Sequence, residues 1–247
     1  MSKPVVFVIG ATGQVGTATL SSLSAKYADK VEIRAGVRNL EKADKLKAIP
    51  NVTVVQATMG DSSLVDVLSG VSTLFINSPP ARERTQLITS TAEYAKQAGV
   101  KHISFVGVLA ADYLDHIFGG DFGRAERNVA KLGVPYTFLR FPYFMTNYLF
   151  FIRDSIVKQG TILWPTDPNA QYTSIAVEDV GSVSAAILVN PEKYANRTIT
   201  FAGDRHTYND FAKALSDVLG KEIKYVRVPY ETAVSYTHLT LPTIYSV

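Results

Sequence analysis

The run "VVFVIGATGQVG", Val5 to Gly16, limits what this chain can fold into more than any other stretch. Apolar, mostly β-branched residues lead into glycines at positions 10, 13 and 16, and a helical pattern begins at Val15. An unbroken apolar run bounded by glycine reads as a strand buried on both faces, the habit of a parallel sheet covered by helices. Glycines after such a strand serve where the chain turns tightly, where a pyrophosphate comes close to the backbone, and where the helix packs against the strand. That helix would then offer free N–H groups and the positive end of its dipole to the phosphates. The competing reading is a glycine-rich turn that holds nothing.

The rest of the first 140 residues repeats the theme. Strand patterns at "VEIRAGV", "VTVVQA", "TLFINS", "HISFVGV" and "YTFLRF" alternate with helical patterns over 15–27, 41–47, 62–68, 82–98 and 122–132. The alternation predicts an α/β fold, a doubly wound parallel Rossmann sheet. After "LRFPYFMTN" the rhythm changes, with Gly and Pro frequent in "KQGTILWPTDPNAQ". A helix from about Glu178, a strand "RTITFAG", a helix over 208–219 and a strand "KEIKYVRV" follow. These predict a small α/β substrate lobe interleaved with the end of the sheet: residues 1–140 as Rossmann core, 141–232 as mixed sheet end and partial lobe, within one domain over 1–232.

Composition excludes several chemistries. No cysteine is present, which removes thiol catalysis, cysteine-ligated metals and disulfides. A net charge of +3 without any Lys/Arg run argues against a nucleic-acid or membrane surface. The aromatic run "FPYFMTNYLFFI" carries Pro142 and Asn147 and is too short for a membrane span. The opening ten residues do not make a signal peptide, so a cytoplasmic protein is expected. His102, His116 and His206 have no metal-ligand spacing, and no metal is expected.

The end of the second strand, "RAGVRN", bears on cofactor choice. An NAD site usually places Asp or Glu there for the ribose hydroxyl. Arg38 stands in that place, with Lys42 one turn on, and a guanidinium can grip a 2′-phosphate, so NADP(H) is preferred over NAD(H). The alternative is an exposed arginine in a connecting loop.

Taken together, "GATGQVG", "VRN" with "KADKL", "AGVKHISFVGVLAAD", "RAERNVAKLGVPYTFLRFPYFMTN" and "VEDVG" resemble the NmrA-like family, atypical short-chain dehydrogenase/reductases, from Val5 to Val228. The G-x-x-G-x-x-G spacing is of the short-chain dehydrogenase kind. The similarity is greatest to the quinone-reductase-like branch and to NADP-sensing regulators. It implies that Thr12, Gln14 and Val15 join Gly10, Gly13 and Gly16 in the phosphate loop. It also implies that Asn77 and Ser78 line the cofactor and that Thr58 sits near the adenosine. One departure stands out. Orthodox members use a Tyr proton donor and a Lys four residues on, whereas the matching positions here are Phe122 and Glu126. The orthodox alcohol–ketone mechanism is therefore not expected, and no catalytic residue is assigned.

Tyr143, Phe144 and Asn147 follow the sixth strand, where an α/β ligand crevice opens, and could stack on and hydrogen-bond a planar substrate such as a quinone. Core packing of an aromatic patch is the other reading. Tyr113 and His116 could face the same crevice. Two functions remain in play. One is a reductase passing hydride from NADPH to a quinone or similar electrophile, with solvent supplying the proton. The other is a non-catalytic NADP(H) sensor acting through contacts with a regulatory protein partner.

The last stretch, "VSYTHLTLPTIYSV", contains no Asp, Glu, Lys or Arg. Its first ten residues can be back-translated as GTC TCT TAT ACA CAT CTG ACG CTG CCG ACG, which resembles a sequencing-library adaptor. Residues 233–247 are accordingly expected to be a non-native tail, with the lobe truncated near Thr232. The competing reading is a final native strand.

Overall fold

The computed structural model describes residues 2–115 and 119–229. His116 and the tail from Val234 to Val247 lie outside the described residues.

Along the chain, strand β1 (Val5–Ile9) leads into helix α1 (Gln14–Tyr27), then β2 (Glu32–Val37), the short α2 (Asp44–Lys47), β3 (Val52–Gln56), α3 (Leu64–Val67) and β4 (Thr73–Ile76). Helix α4 (Arg84–Gln97), β5 (His102–Val108), α5 (Gly119–Ala130) and β6 (Tyr136–Phe141) follow. Next come β7 (Tyr143–Phe144), α6 (Asn147–Phe151), α7 (Arg153–Gln159), β8 (Thr161–Trp164) and β9 (Tyr172–Ile175). The described chain ends with α8 (Val177–Leu188), β10 (Arg197–Thr200), β11 (Arg205–His206), α9 (Tyr208–Leu219) and β12 (Lys224–Arg227).

Seven strands form one parallel sheet in the order β10-β6-β5-β4-β1-β2-β3. The central strands are the ones read as unbroken apolar runs. Every residue of β1 and β4 is buried, because helices cover both faces and leave no solvent side for alternation. The chain leaves β1 for β2 and β3 on one side, then returns to β4 on the other. The order therefore reverses beside β1, the point at which open α/β sheets generally bind ligands beyond the strands' carboxyl ends.

The chain divides into two compact units. The first comprises residues up to Phe141 together with Val177–Phe201 and holds the seven-stranded sheet. One cluster of its core runs from Phe7 and Ile9 through Leu74, Ile88 and Phe105 to Phe138, all buried. Within this unit α8 lies against α1 so closely that a Cβ on Gly181 would come 2.5 Å from the Ala18 carbonyl carbon.

The second unit comprises Pro142–Ala176 and residues from Ala202 onward. It contains a three-stranded sheet, β11-β9-β7, and the parallel pair β12-β8. Its own core gathers Ile152, Ile156, Ile162, Ala212 and Ile223. Helix α9 begins at a capping box, with the Thr207 hydroxyl accepting from the Asp210 N–H (3.1 Å) and Asp210 accepting from the Thr207 N–H (2.9 Å).

Candidate functional site

The glycine loop sits at the reversal point of the sheet. Gly10 leaves β1 with φ +74°, and a Cβ there would lie 1.9 Å from the Asn77 carbonyl oxygen, so only glycine fits between the ends of β1 and β4. A Cβ on Gly16 would lie 2.4 Å from the Gly10 carbonyl oxygen, which lets the first turn of α1 close over the loop. Asn77 ties the two strand ends together. Its N–H donates to the Ile9 carbonyl (3.0 Å) and its side-chain amide donates to the Gly10 carbonyl (3.2 Å). The loop is therefore a shaped backbone cradle rather than slack chain.

What the cradle presents is positive. Helix α1 has no side-chain cap at Gly13 and no acidic residue in its first turn. The N–H groups of Gln14, Val15 and Gly16 have no acceptor within the helix, as at any helix start. Thr12 and Gln14 are exposed beside them, whereas the Val15 side chain is buried and can offer only its backbone. At the end of β4 the Ser78 hydroxyl is shielded from solvent yet has no hydrogen-bond partner. Buried hydroxyls are normally satisfied, so an orphan at the mouth of a phosphate cradle fits a ligand that supplies the partner. These residues fit the pyrophosphate and nearby sugar of a dinucleotide.

Arg38 and Thr58 stand just past the carboxyl ends of the paired strands β2 and β3, and both are exposed. The Ala57 N–H donates to the Val37 carbonyl (2.8 Å) and the Gln56 amide to the Arg38 carbonyl (3.4 Å), which fixes the backbone at both positions. Lys42 lies in a 3-10 turn, Leu40–Lys42, capped by the Asn39 side chain accepting from the Glu41 N–H (2.8 Å). Among the described residues neither Arg38 nor Lys42 makes an ion pair, and no carboxylate ends β2.

At Phe122 and Glu126, the positions read from sequence as matching the orthodox Tyr and Lys, both side chains are buried and engaged. Phe122 is buried against the Arg84 guanidinium, 4.8 Å from its ring centre. Glu126, only 5% exposed, is gripped at both oxygens by Arg140, at 3.0 and 2.5 Å, and Arg140 also holds Asp112 at 2.7 Å. The Glu126 hydrogen bonds lead in raising the Arg140 pKa, against the opposing effect of burial. The Arg140 hydrogen bond pulls the Asp112 carboxyl below its usual range. Sequence reasoning missed Arg140 and Asp112. The one signal was a charged residue inside the otherwise apolar strand "YTFLRF".

Tyr143, Phe144 and Asn147 fall in the second unit, the first two forming β7 and the third opening α6. Tyr143 joins an aromatic cluster larger than its own segment. Its ring is 5.1 Å from Tyr148, which stacks on Phe211 at 4.3 Å, while Tyr172 stacks on Tyr208 at 4.4 Å. Burial raises the pKa of each phenol in this group, Tyr143, Tyr148, Tyr172 and Tyr208, so all stay protonated. Tyr113, by contrast, is 71% exposed at the end of the 3-10 turn Leu109–Asp112. Among the described residues no group of three or more His, Asp or Glu could hold a metal, and no helix is long and apolar enough to cross a membrane.

A parallel sheet with a glycine cradle at its reversal point defines a Rossmann-like nucleotide-binding architecture. The chain matches the model of the NmrA-like family over residues 2–246 and belongs to that family. It is 27% identical to the NAD(P)H azoreductase of Xenophilus azovorans over 234 residues, covering 92% of this chain and 78% of that protein. It is 29% identical to quinone oxidoreductase 2 of Escherichia coli over 223 residues, covering 89% and 76%. The nitrogen metabolite repression protein nmrA of Emericella nidulans is 27% identical over 250 residues, 92% of this chain and 69% of that protein. Among solved structures, the Citrobacter sp. triphenylmethane reductase complexed with NADP(H) superposes with a TM-score of 0.82 at 26% identity, covering 97% of this chain and 88% of that one.

Proposed function

We propose that this protein is an NADP(H)-dependent reductase that passes hydride to a quinone or similar conjugated electrophile. The observation that carries the cofactor assignment is the cradle itself: Gly10, Gly13 and Gly16 closed by Asn77, the free first turn of α1, and the partnerless Ser78 hydroxyl. In this reading Thr12, Gln14, Val15, Asn77 and Ser78 hold the pyrophosphate and the sugar beside it. Thr58 borders the adenosine, and Arg38 with Lys42 takes the 2′-phosphate. NADPH bound there would supply a hydride. Tyr143, Phe144 and Asn147 contact the acceptor. The relatives and the solved structure named as azo, quinone and triphenylmethane reductases support this, because all three names denote acceptors with extended conjugation. A cytoplasmic location goes with the reading.

A second reading, an NADP(H) sensor that signals to a protein partner, draws on the loss of the Tyr and Lys positions to Phe122 and Glu126 and on the similarity to a regulator. One experiment separates them. The reductase should oxidise NADPH when given a panel of quinones, and Tyr143→Ala should slow that rate while leaving NADPH affinity within about twofold. Binding of NADPH without turnover of any acceptor would favour the sensor. Arg38→Asp should weaken NADPH by about tenfold or more and NADH little, since only the former carries the 2′-phosphate. Equal losses would remove Arg38 from the 2′-phosphate.

A further inference from the structure

The 3-10 turn that follows β5, Leu109–Asp112, is fastened on two sides, both within the first unit. On one side it lies against α5. Cβ atoms on Gly119 and Gly123 would come 2.2 Å from the Ala110 carbonyl oxygen and 2.0 Å from that of Ala111, so the turn rests directly on the helix backbone. Helices disfavour glycine, and a helix that opens "GGDFG" accepts that weakness for the close approach.

On the other side is Arg140. It lies near the carboxyl end of β6, opposite Gly107 of β5, and its guanidinium reaches from Glu126 of α5 to Asp112 at the end of the turn. The bridge needs Gly107 to be bare, because a Cβ there would come 3.2 Å from Glu126 Oε1. The two partners of Arg140 differ in kind. Glu126 is buried, and its bond to Arg140 joins α5 to β6. The Asp112 side chain is 72% exposed, and exposed ion pairs add little to folding stability. What the Asp112 bond fixes is the place of the turn.

That place is at the carboxyl end of the strand beside β4. A dinucleotide lies across the carboxyl edge at the reversal point, with its pyrophosphate at the glycine cradle. Arg38 and Thr58, past β2 and β3, put the adenosine half on one side of β1. The nicotinamide half therefore runs the other way, past β4 to the end of β5, where Leu109 is exposed.

We infer that Arg140 is a positioning residue for the nicotinamide: through Asp112 it holds the turn Leu109–Asp112 as a preformed seat for the ring, with the Leu109 side chain as the apolar contact. A seat ordered before the cofactor arrives removes an ordering cost from binding. The inference rests on the cofactor reading above.

The test compares NADPH with 2′-phospho-ADP-ribose, which carries the adenosine, the 2′-phosphate and the pyrophosphate but no nicotinamide. Wild type should bind NADPH more tightly than this fragment. Asp112→Ala, which leaves the buried Arg140–Glu126 pair in place, should weaken NADPH about fivefold or more and the fragment by at most about twofold. Leu109→Ser should follow the same pattern. Asp112→Asn, whose amide oxygen can still accept from Arg140, should recover part of the loss. Without ligand, the melting temperature of Asp112→Ala should stay within about 2 °C of wild type, which a purely structural role would not allow. Equal losses of NADPH and fragment, unchanged NADPH binding in Asp112→Ala, or a wild type that holds NADPH no better than the fragment would each overturn the seat while leaving the cradle as the cofactor site. A wild type that binds neither molecule would instead remove the cofactor reading, and the seat with it.

Discussion

His102 shows how much one side chain can bear on stability. Its sequence position showed no metal-ligand spacing, and it is buried in β5, 3% exposed, with Nε2 2.9 Å from the Thr137 hydroxyl. That hydroxyl donates its proton to the Tyr194 carbonyl (2.8 Å), so it must accept from the histidine, which fixes the Nε2–H tautomer. Burial pushes the His102 pKa down from 6.5 to about 4. Above pH 6.5 the ring is neutral folded or unfolded, and its contribution is intact. As pH falls below 6.5 the unfolded chain takes up a proton that the native ring resists, and stability drops until pH nears 4. Between pH 7.5 and 5 the loss should be about 2 kcal/mol. Urea unfolding at the two pH values should show it in the wild type, and His102→Gln should abolish the difference assigned to this residue.

At the scale of elements, the Glu126–Arg140 pair joins α5 to β6 inside the first unit. Removing one partner leaves a buried charge alone, so Arg140→Leu should cost about 3–5 kcal/mol in denaturant unfolding. Replacing both residues with apolar side chains of similar size should cost far less than the sum of the single changes. The same elements show what the sequence could and could not reveal. Strands β1 and β4 were legible because two-sided burial writes itself as unbroken apolar runs, "VVFVI" and "TLFI", whereas β3, with no buried residue, was legible from its β-branched Val and Thr. Helix α9 was legible from Tyr208 to Leu219. The stretch 41–47, read as one helix, is instead a 3-10 turn followed by α2. Strands β7, β8, β9 and β11 were not seen, because each is four residues or fewer and none reads as an unbroken buried run. Their partners lie far along the chain, as when Arg205 pairs with Thr173. The Ser174–His206 contact spans 32 positions, so no local spacing could announce it. The glycine turn, by contrast, is local in sequence and its close packing was legible there, whereas the Asn77 side chain that latches it lies 67 positions on and gave no local sign of that bond.

At the scale of the whole molecule, a ligand that binds only the folded state stabilises it by mass action. NADPH at a hundred times its Kd should add about 2.7 kcal/mol, and thermal melting should rise accordingly. Gly10→Val should lose that rise, because no side chain fits beside Asn77. A melting curve unmoved by saturating NADPH in the wild type would count against the cradle as a binding site.

The first unit is assembled from two separate lengths of chain, with Pro142–Ala176 between them. A ribosome makes proteins from the N-terminus, and domains fold as their parts emerge. The glycine loop therefore leaves the exit tunnel well before α8. Yet α8, whose Gly181 seats against Ala18 of the loop's own helix, is some 160 residues behind it. The nascent chain therefore carries the loop's helix without its brace while those intervening residues are added, and the Ala18 side of α1 stays uncovered until α8 arrives.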